Sequence, residues 1–235
     1  MNFARFLRNS VLAWLITSAF LHINSEVAVA DDIDCIGPAN ADTYFIYLHG
    51  MDTQNLSHQE HQNRAVLNEL AAKMNIRIAL PRAVTACPTN GALLCWGWTF
   101  DQAELESALP RILAAGASCF PENAPFGVIG FSNGGYFVNS WFLNVGSLNH
   151  RTPFAMISIG SDFGDLPAAF SRSSPVGGTL SIVIGKNDEV NRDPHHVFFS
   201  RLRDLNIPVK LYEFDGAHEI NSAALEAALR VTLLK

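Results

Sequence analysis

Three residues of this chain have the types and the settings for nucleophilic catalysis. Ser132 lies in Gly130-Phe131-Ser132-Asn133-Gly134-Gly135, Asp188 in Gly185-Lys186-Asn187-Asp188, and His218 in Asp215-Gly216-Ala217-His218. Each follows a short apolar run. A serine hydroxyl is a weak nucleophile at neutral pH and needs a base to take its proton. His218 fits that role, since imidazole titrates near neutrality. A carboxylate on the other ring nitrogen fixes the tautomer and stabilises the imidazolium, and Asp188 is the choice for it. Glu189, Asp193 and Asp162 are its competitors.

Ser132 sits between the apolar stretch Phe126 to Ile129 and a helical pattern beginning at Gly135. Strand, sharp turn and helix with serine at the turn describe a nucleophile elbow. Its strained backbone projects the hydroxyl clear of the sheet. The glycines allow strand and helix to cross closely. Gly-x-Ser-x-Gly alone is weakly specific, so its surroundings decide. The oxyanion formed by attack on a carbonyl needs two fixed donors. The backbone N–H of Asn133 is one, and that of Met51, after His49-Gly50, is the other. His49 is read as shaping that turn rather than as a base. Trp96, Trp98 and Phe100 are candidate walls of a substrate site, or core beneath a loop.

These residues need a scaffold that brings loops together. Tyr44–Leu48, Ile76–Leu80, Phe126–Phe131, Phe154–Ile159, Leu180–Ile184 and Val209–Phe214 read as strands. Nearly all are continuous apolar runs, as expected for a parallel sheet covered on both faces. Helical patterns separate them, at Leu56–Met74, Ala103–Ala115 with an internal Pro110, Gly135–Val145, Pro194–Leu205 and Ser222–Leu233. The fold class is therefore α/β, a doubly wound and mostly parallel sheet of about six strands. Residues 31–235 read as one domain, with no linker or repeat. Asp31 to Asp42 is too short for an extra N-terminal hairpin. In such sheets functional groups gather at the carboxyl ends of the strands.

Residues 1–30 read as a secretion signal. Arg5 and Arg8 precede an apolar run from Val11 to Ile23, and Ala28-Val29-Ala30 suits cleavage. The run is shorter than the roughly 18–20 residues of a membrane span, so no stable anchor is expected after cleavage. A secreted or periplasmic location follows. The four cysteines then read as two disulfides, for which three connectivities exist. Cys87 and Cys95 flank a short loop and form the local pair; Cys35 and Cys119 would tie the N-terminal segment to the loop before the elbow strand.

A net charge of −6 with only 16% charged residues, and no basic-aromatic patch, argues against a nucleic-acid partner. His58 and His61, and the adjacent His195 and His196, match no metal motif, so no metal is expected. No Gly-x-Gly-x-x-Gly or Gly-Lys-Ser/Thr motif is present, so no nucleotide cofactor is expected either. The Asn55-Leu56-Ser57 sequon is read as chance.

Taken as a set, Tyr47-Leu48-His49-Gly50, the elbow, Gly185-Lys186-Asn187-Asp188-Glu189-Val190 and Gly216-Ala217-His218 resemble the α/β-hydrolase superfamily. The chain is most similar to its small carboxylesterase/phospholipase and dienelactone-hydrolase-like branches, and to secreted polyhydroxybutyrate-depolymerase-like esterases. Leu80-Pro81-Arg82 followed by Trp96 to Asp101 is similar to a segment beside the carboxylesterase active site. Asn133 departs from the glutamine common after the serine in that branch, and Gly-Ala-His from the usual Gly-Gly-His. The resemblance implies a minimal α/β-hydrolase fold and a serine esterase acting on small-molecule or polymeric esters. A peptidase or amidase on the same triad, and a non-catalytic binding protein, are the alternatives.

Overall fold

Strands that are apolar on both faces must be covered on both sides, and among the described residues five helices supply the cover. The computed structural model describes residues 33–97, 102–144, 150–161, 178–190 and 197–233. The signal segment, Trp98, Phe100, Asp162, Asp193, His195 and His196 lie outside the described residues. The elements run β1 (Asp34–Ile36), β2 (Thr43–Leu48), α1 (His58–Met74), β3 (Ile76–Leu80), β4 (Thr85–Cys87), β5 (Asn90–Cys95), α2 (Gln102–Cys119), β6 (Phe126–Phe131), α3 (Asn133–Asn144), β7 (Ala155–Ile159), β8 (Thr179–Gly185), α4 (Val197–Asp204), β9 (Val209–Phe214) and α5 (Ser222–Leu233).

A seven-stranded sheet has the order β1-β3-β2-β6-β7-β8-β9. All its pairs are parallel except β1 with β3. Alternate residues of the central strands feed two cores. Ile46, Leu48, Val128, Met156, Leu180 and Ile182 pack with side chains of α2, α3 and α4. Phe45, Tyr47, Ile129, Phe131, Ile157 and Val183 pack on the other face with α1 and α5. Leu48 pairs with Gly130, Gly130 with Ser158, and Ser158 with Ile182, so these strands end at one level. The loops that follow them share one rim.

The sheet has one strand more than the sequence patterning suggests. The segment too short for a hairpin forms the single strand β1, with Cys35 opposite Ala79. A second departure is the antiparallel hairpin β4–β5, in a region with no strand pattern. Asn90, Gly91 and Ala92 are exposed there, so it lacks the apolar alternation that marks a half-buried strand. Disulfides join Cys35 to Cys119 and Cys87 to Cys95. The first fastens β1 to the end of α2, and the second closes the hairpin.

α1 starts at His58, two residues later than its apolar pattern. Leu56 has a φ of 33° and cannot be helical. Ser57 is the N-cap, and its Oγ accepts from the Glu60 N–H at 3.2 Å. Glu60 does not close the usual reciprocal cap. Its carboxylate instead accepts from Tyr47 Oη at 3.0 Å and Arg64 Nε at 3.1 Å, locking α1 onto β2. α2 runs on through Pro110, while Leu105, Leu109 and Ile112 bury against the sheet. That packing outweighs the hydrogen bond the proline removes.

Candidate active site

The elbow is built by steric necessity. Ser132 links β6 to α3 with a φ of 52°, a left-handed conformation unfavourable for a non-glycine residue. Its N–H donates to Ile159 O at 2.8 Å, fixing the turn to β7. A Cβ at Gly130 would stand 2.2 Å from Gly134 O, and one at Gly134 would stand 2.1 Å from Leu48 O. Only glycine allows strand and helix to cross here. As the first residue of α3, Asn133 has an N–H with no acceptor inside the helix.

Asp188 and His218 arrive from neighbouring loops that are stitched together. After β8, Lys186 N donates to Phe214 O and Asn187 N to Gly216 O, both at 2.9 Å. Asp188 is fully buried. Its Oδ1 accepts from Val190 N–H at 3.0 Å, and its Oδ2 lies 2.9 Å from His218 Nδ1. A carboxylate facing Nδ1 selects the tautomer with the proton there, which leaves Nε2 as the basic nitrogen. The imidazole rests over Gly160 at the end of β7: a Cβ at that residue would stand 3.0 Å from the ring. Its centroid is 4.9 Å from the ring of Phe131, the residue before the serine. The elbow and the His–Asp pair thus meet at one end of the sheet.

The turn carrying Met51 lies against the serine. A Cβ on Gly50 would be 3.1 Å from Ser132 Cβ. His49 O accepts from Gly134 N at 3.1 Å, joining this turn to the elbow. The His49 side chain is buried, with both ring nitrogens engaged by backbone. Nε2 accepts from Ala83 N–H at 3.0 Å, so Nδ1 carries the proton and donates to Gly50 O at 2.6 Å. Burial lowers its pKa to about 4. His49 is therefore a neutral strut and not a base. In the unfolded chain it protonates near the ordinary 6.5, so between about pH 6.5 and 4 the unfolded state binds more protons. Stability from this residue is complete above pH 6.5 and is lost as pH falls towards 4, by an amount on the order of 3 kcal/mol. Urea midpoints measured across that range should fall more steeply for wild type than for His49→Gln; parallel curves would refute the assignment.

Two further anchors hold the Met51 turn. Asp52 pairs through its backbone with Leu94 of the hairpin, its N donating to Leu94 O at 3.3 Å and its O accepting from Leu94 N at 2.7 Å. Its buried carboxylate accepts from Ser57 N at 2.7 Å and from Arg82 Nη2 at 3.3 Å, and Arg82 also donates to Thr53 O at 2.6 Å. Neither Asp52 nor Arg82 stands out as a site residue in the sequence. Arg82 is visible there only as part of Leu80-Pro81-Arg82.

The side chain of Asn133 has a distinct task. Its Oδ1 accepts from Trp96 N at 2.8 Å and its Nδ2 donates to Gly97 O at 3.0 Å. The residue after the serine thus clamps the backbone that leaves the disulfide hairpin after β5. Trp96 itself is only 5% exposed. Its indole N–H donates to His49 O at 3.0 Å, and its ring packs near His49 and Phe137. It braces the site from below rather than lining open space. Replacing Asn133 by alanine leaves the buried Trp96 N–H without that acceptor. The expected loss is about 1–3 kcal/mol of stability, read from denaturant unfolding. Asn133→Asp keeps the acceptor for Trp96 N but sets a buried carboxylate against Gly97 O in place of the donating amide, and should lose at least as much.

Among the described residues, no group of three or more His, Cys, Asp or Glu is placed to hold a metal ion. No described helix is long and apolar enough to cross a membrane. His58 and His61 lie exposed on the first turn of α1.

No family model matches the chain, and no curated protein matches it. Solved structures do. The esterase PE8 superposes with a TM-score of 0.55 at 19% identity, over 85% of this chain and 97% of that one. XC6422 from Xanthomonas campestris, described as an α/β serine hydrolase without a lid, gives 0.55 at 18% identity over 86% and 88%. The fluorophosphonate-binding serine hydrolase FphF from Staphylococcus aureus gives 0.53 at 16% identity over 83% of each chain. The chain has the α/β-hydrolase fold. In the terms of that fold, β6 leads into the strand-to-helix turn at Ser132, and Asp188 and His218 lie on the loops after β8 and β9.

Proposed function

We propose that this protein is an exported serine hydrolase that cleaves carboxylic esters through an acyl-enzyme. The observation that carries the reading is the buried Asp188 carboxylate 2.9 Å from His218 Nδ1, beside a serine at a φ of 52° on a strand-to-helix turn. His218 Nε2 takes the proton of Ser132 Oγ as the oxygen bonds to the ester carbonyl carbon. The carbonyl π electrons move to oxygen, and the N–H groups of Asn133 and Met51 stabilise the resulting oxyanion. The carbonyl re-forms as the bond to the alcohol oxygen breaks, and His218 donates its proton to the departing alcohol. Water then repeats the attack, with His218 again as base, releasing the acid and restoring Ser132. Asp188 stays ionised throughout and stabilises the imidazolium.

Export is supported by the N-terminal signal pattern and by two disulfides, which persist in oxidising compartments. An acyl-chain series of p-nitrophenyl esters, run beside a chromogenic peptide panel, tests the reaction class. Ester turnover without peptide turnover is expected; the reverse would make the protein a peptidase. Failure of the folded protein to react with a fluorophosphonate probe would exclude a serine hydrolase.

A further inference from the structure

A cleft of about 500 Å³ opens beside His218, between α1 and the loop after β9. Its volume is in the range of small-molecule sites. Gln59, Gln62, Asn63 and Val66 line one wall; their i, i+3, i+4, i+7 spacing puts them on one face of α1. Glu219 and Ile220 line the other wall. Gln59 Nε2 donates to His218 O at 2.8 Å, so this face of the helix is fastened to the catalytic loop itself.

We propose that this cleft is the subsite for the departing alcohol, and that it takes a neutral alcohol bearing several hydroxyl groups. The inference rests on the esterase reading above. His218 must protonate the leaving oxygen, so the alcohol departs on the side of a residue that also lines the cleft. The wall chemistry selects its type. A hydroxyl both donates and accepts, and a side-chain amide offers it one group of each kind. Three amides line the cleft; Asn63 Nδ2 already donates to Tyr47 Oη and Gln59 Nε2 to His218 O, while Gln62 is exposed with no hydrogen-bond partner among the described residues. Val66 on one wall and Ile220 on the other supply apolar surface for the carbon skeleton. Glu219 opposes an anionic alcohol, and among the described residues no Lys or Arg lines the cleft to offset it.

Glycerol monoacetate and n-propyl acetate share an acyl group and a three-carbon alcohol, and differ in two hydroxyls. Wild type should prefer the glycerol ester by about tenfold in kcat/KM, a preference of one or two net hydrogen bonds. Gln62→Leu, an exposed substitution that should fold normally, is expected to cut that preference by about fivefold. Equal turnover of the two esters by wild type, or an unchanged ratio in Gln62→Leu, overturns the subsite. Hydrolysis of p-nitrophenyl acetate by wild type in the same experiment shows that the esterase reading survives that failure. Absence of hydrolysis of all three esters overturns both.

Discussion

Ser132→Ala is expected to lower ester turnover by about 10⁵–10⁶-fold, the scale on which nucleophile removal acts in other serine triads. The variant keeps the Asn133 and Met51 N–H groups and the His218–Asp188 pair. Residual activity above water should therefore persist through positioning and oxyanion stabilisation alone. Fold stability should hardly change, because alanine inherits the same left-handed backbone. Ser132→Gly makes the point sharper. It lacks the nucleophile too, yet removes the backbone strain of a φ of 52°. It should lose activity while gaining about 1 kcal/mol of stability. Turnover of p-nitrophenyl butyrate, fluorophosphonate labelling and denaturant midpoints, measured on wild type and both variants, check these outcomes. Labelling that survives Ser132→Ala would move the nucleophile elsewhere.

Asp188→Asn carries the second largest expected loss, about 10⁴-fold in kcat, by analogy with a triad carboxylate amidated elsewhere. An amide fits the same space and can still accept from Val190 N–H. Facing Nδ1, however, its NH₂ group would donate. The imidazole proton is then held on Nε2, the nitrogen that must receive the serine proton. KM should change little, since Asp188 is fully buried and has no surface to offer a substrate. Steady-state kinetics on a p-nitrophenyl ester separate the two parameters. A loss smaller than about tenfold would transfer the acid's role to another carboxylate, with Asp162 the first to test.

The sheet was legible because its physics is local. Strands buried on both faces leave nearly continuous apolar runs, as β6 and β7 do, and the six strands read this way are in the sheet, though the edge strand β9 carries Lys210 and Glu213. β1 escaped notice because three residues make no period. β4 and β5 escaped it because half-exposed residues beside a turn need no apolar pattern. The residues that meet at the rim were legible for a related reason: a side chain at a strand's end follows its apolar run within a few residues. The supports were not. Asn133 reaches Trp96 across 37 residues, Arg82 reaches Asp52 across 30, and Gln59 reaches His218 across 159. Nothing near an asparagine in sequence marks it as a clamp on a distant backbone. Trp96 shows the same limit from the other side, since an indole that packs under a loop and one that faces substrate have the same neighbours in sequence.

The two disulfides are nested, with the bond from Cys87 to Cys95 lying inside the span from Cys35 to Cys119. A chain oxidised in the order of its synthesis would join Cys35 to Cys87 and Cys95 to Cys119, and neither bond is native. Cys35 must instead wait for the last cysteine of the four, by which time more than half of the seven-stranded sheet has yet to emerge. Oxidation strictly in order of synthesis would therefore need thiol–disulfide exchange to reach the native pairing, whereas prior closure of the short Cys87–Cys95 loop leaves Cys35 only Cys119 to join.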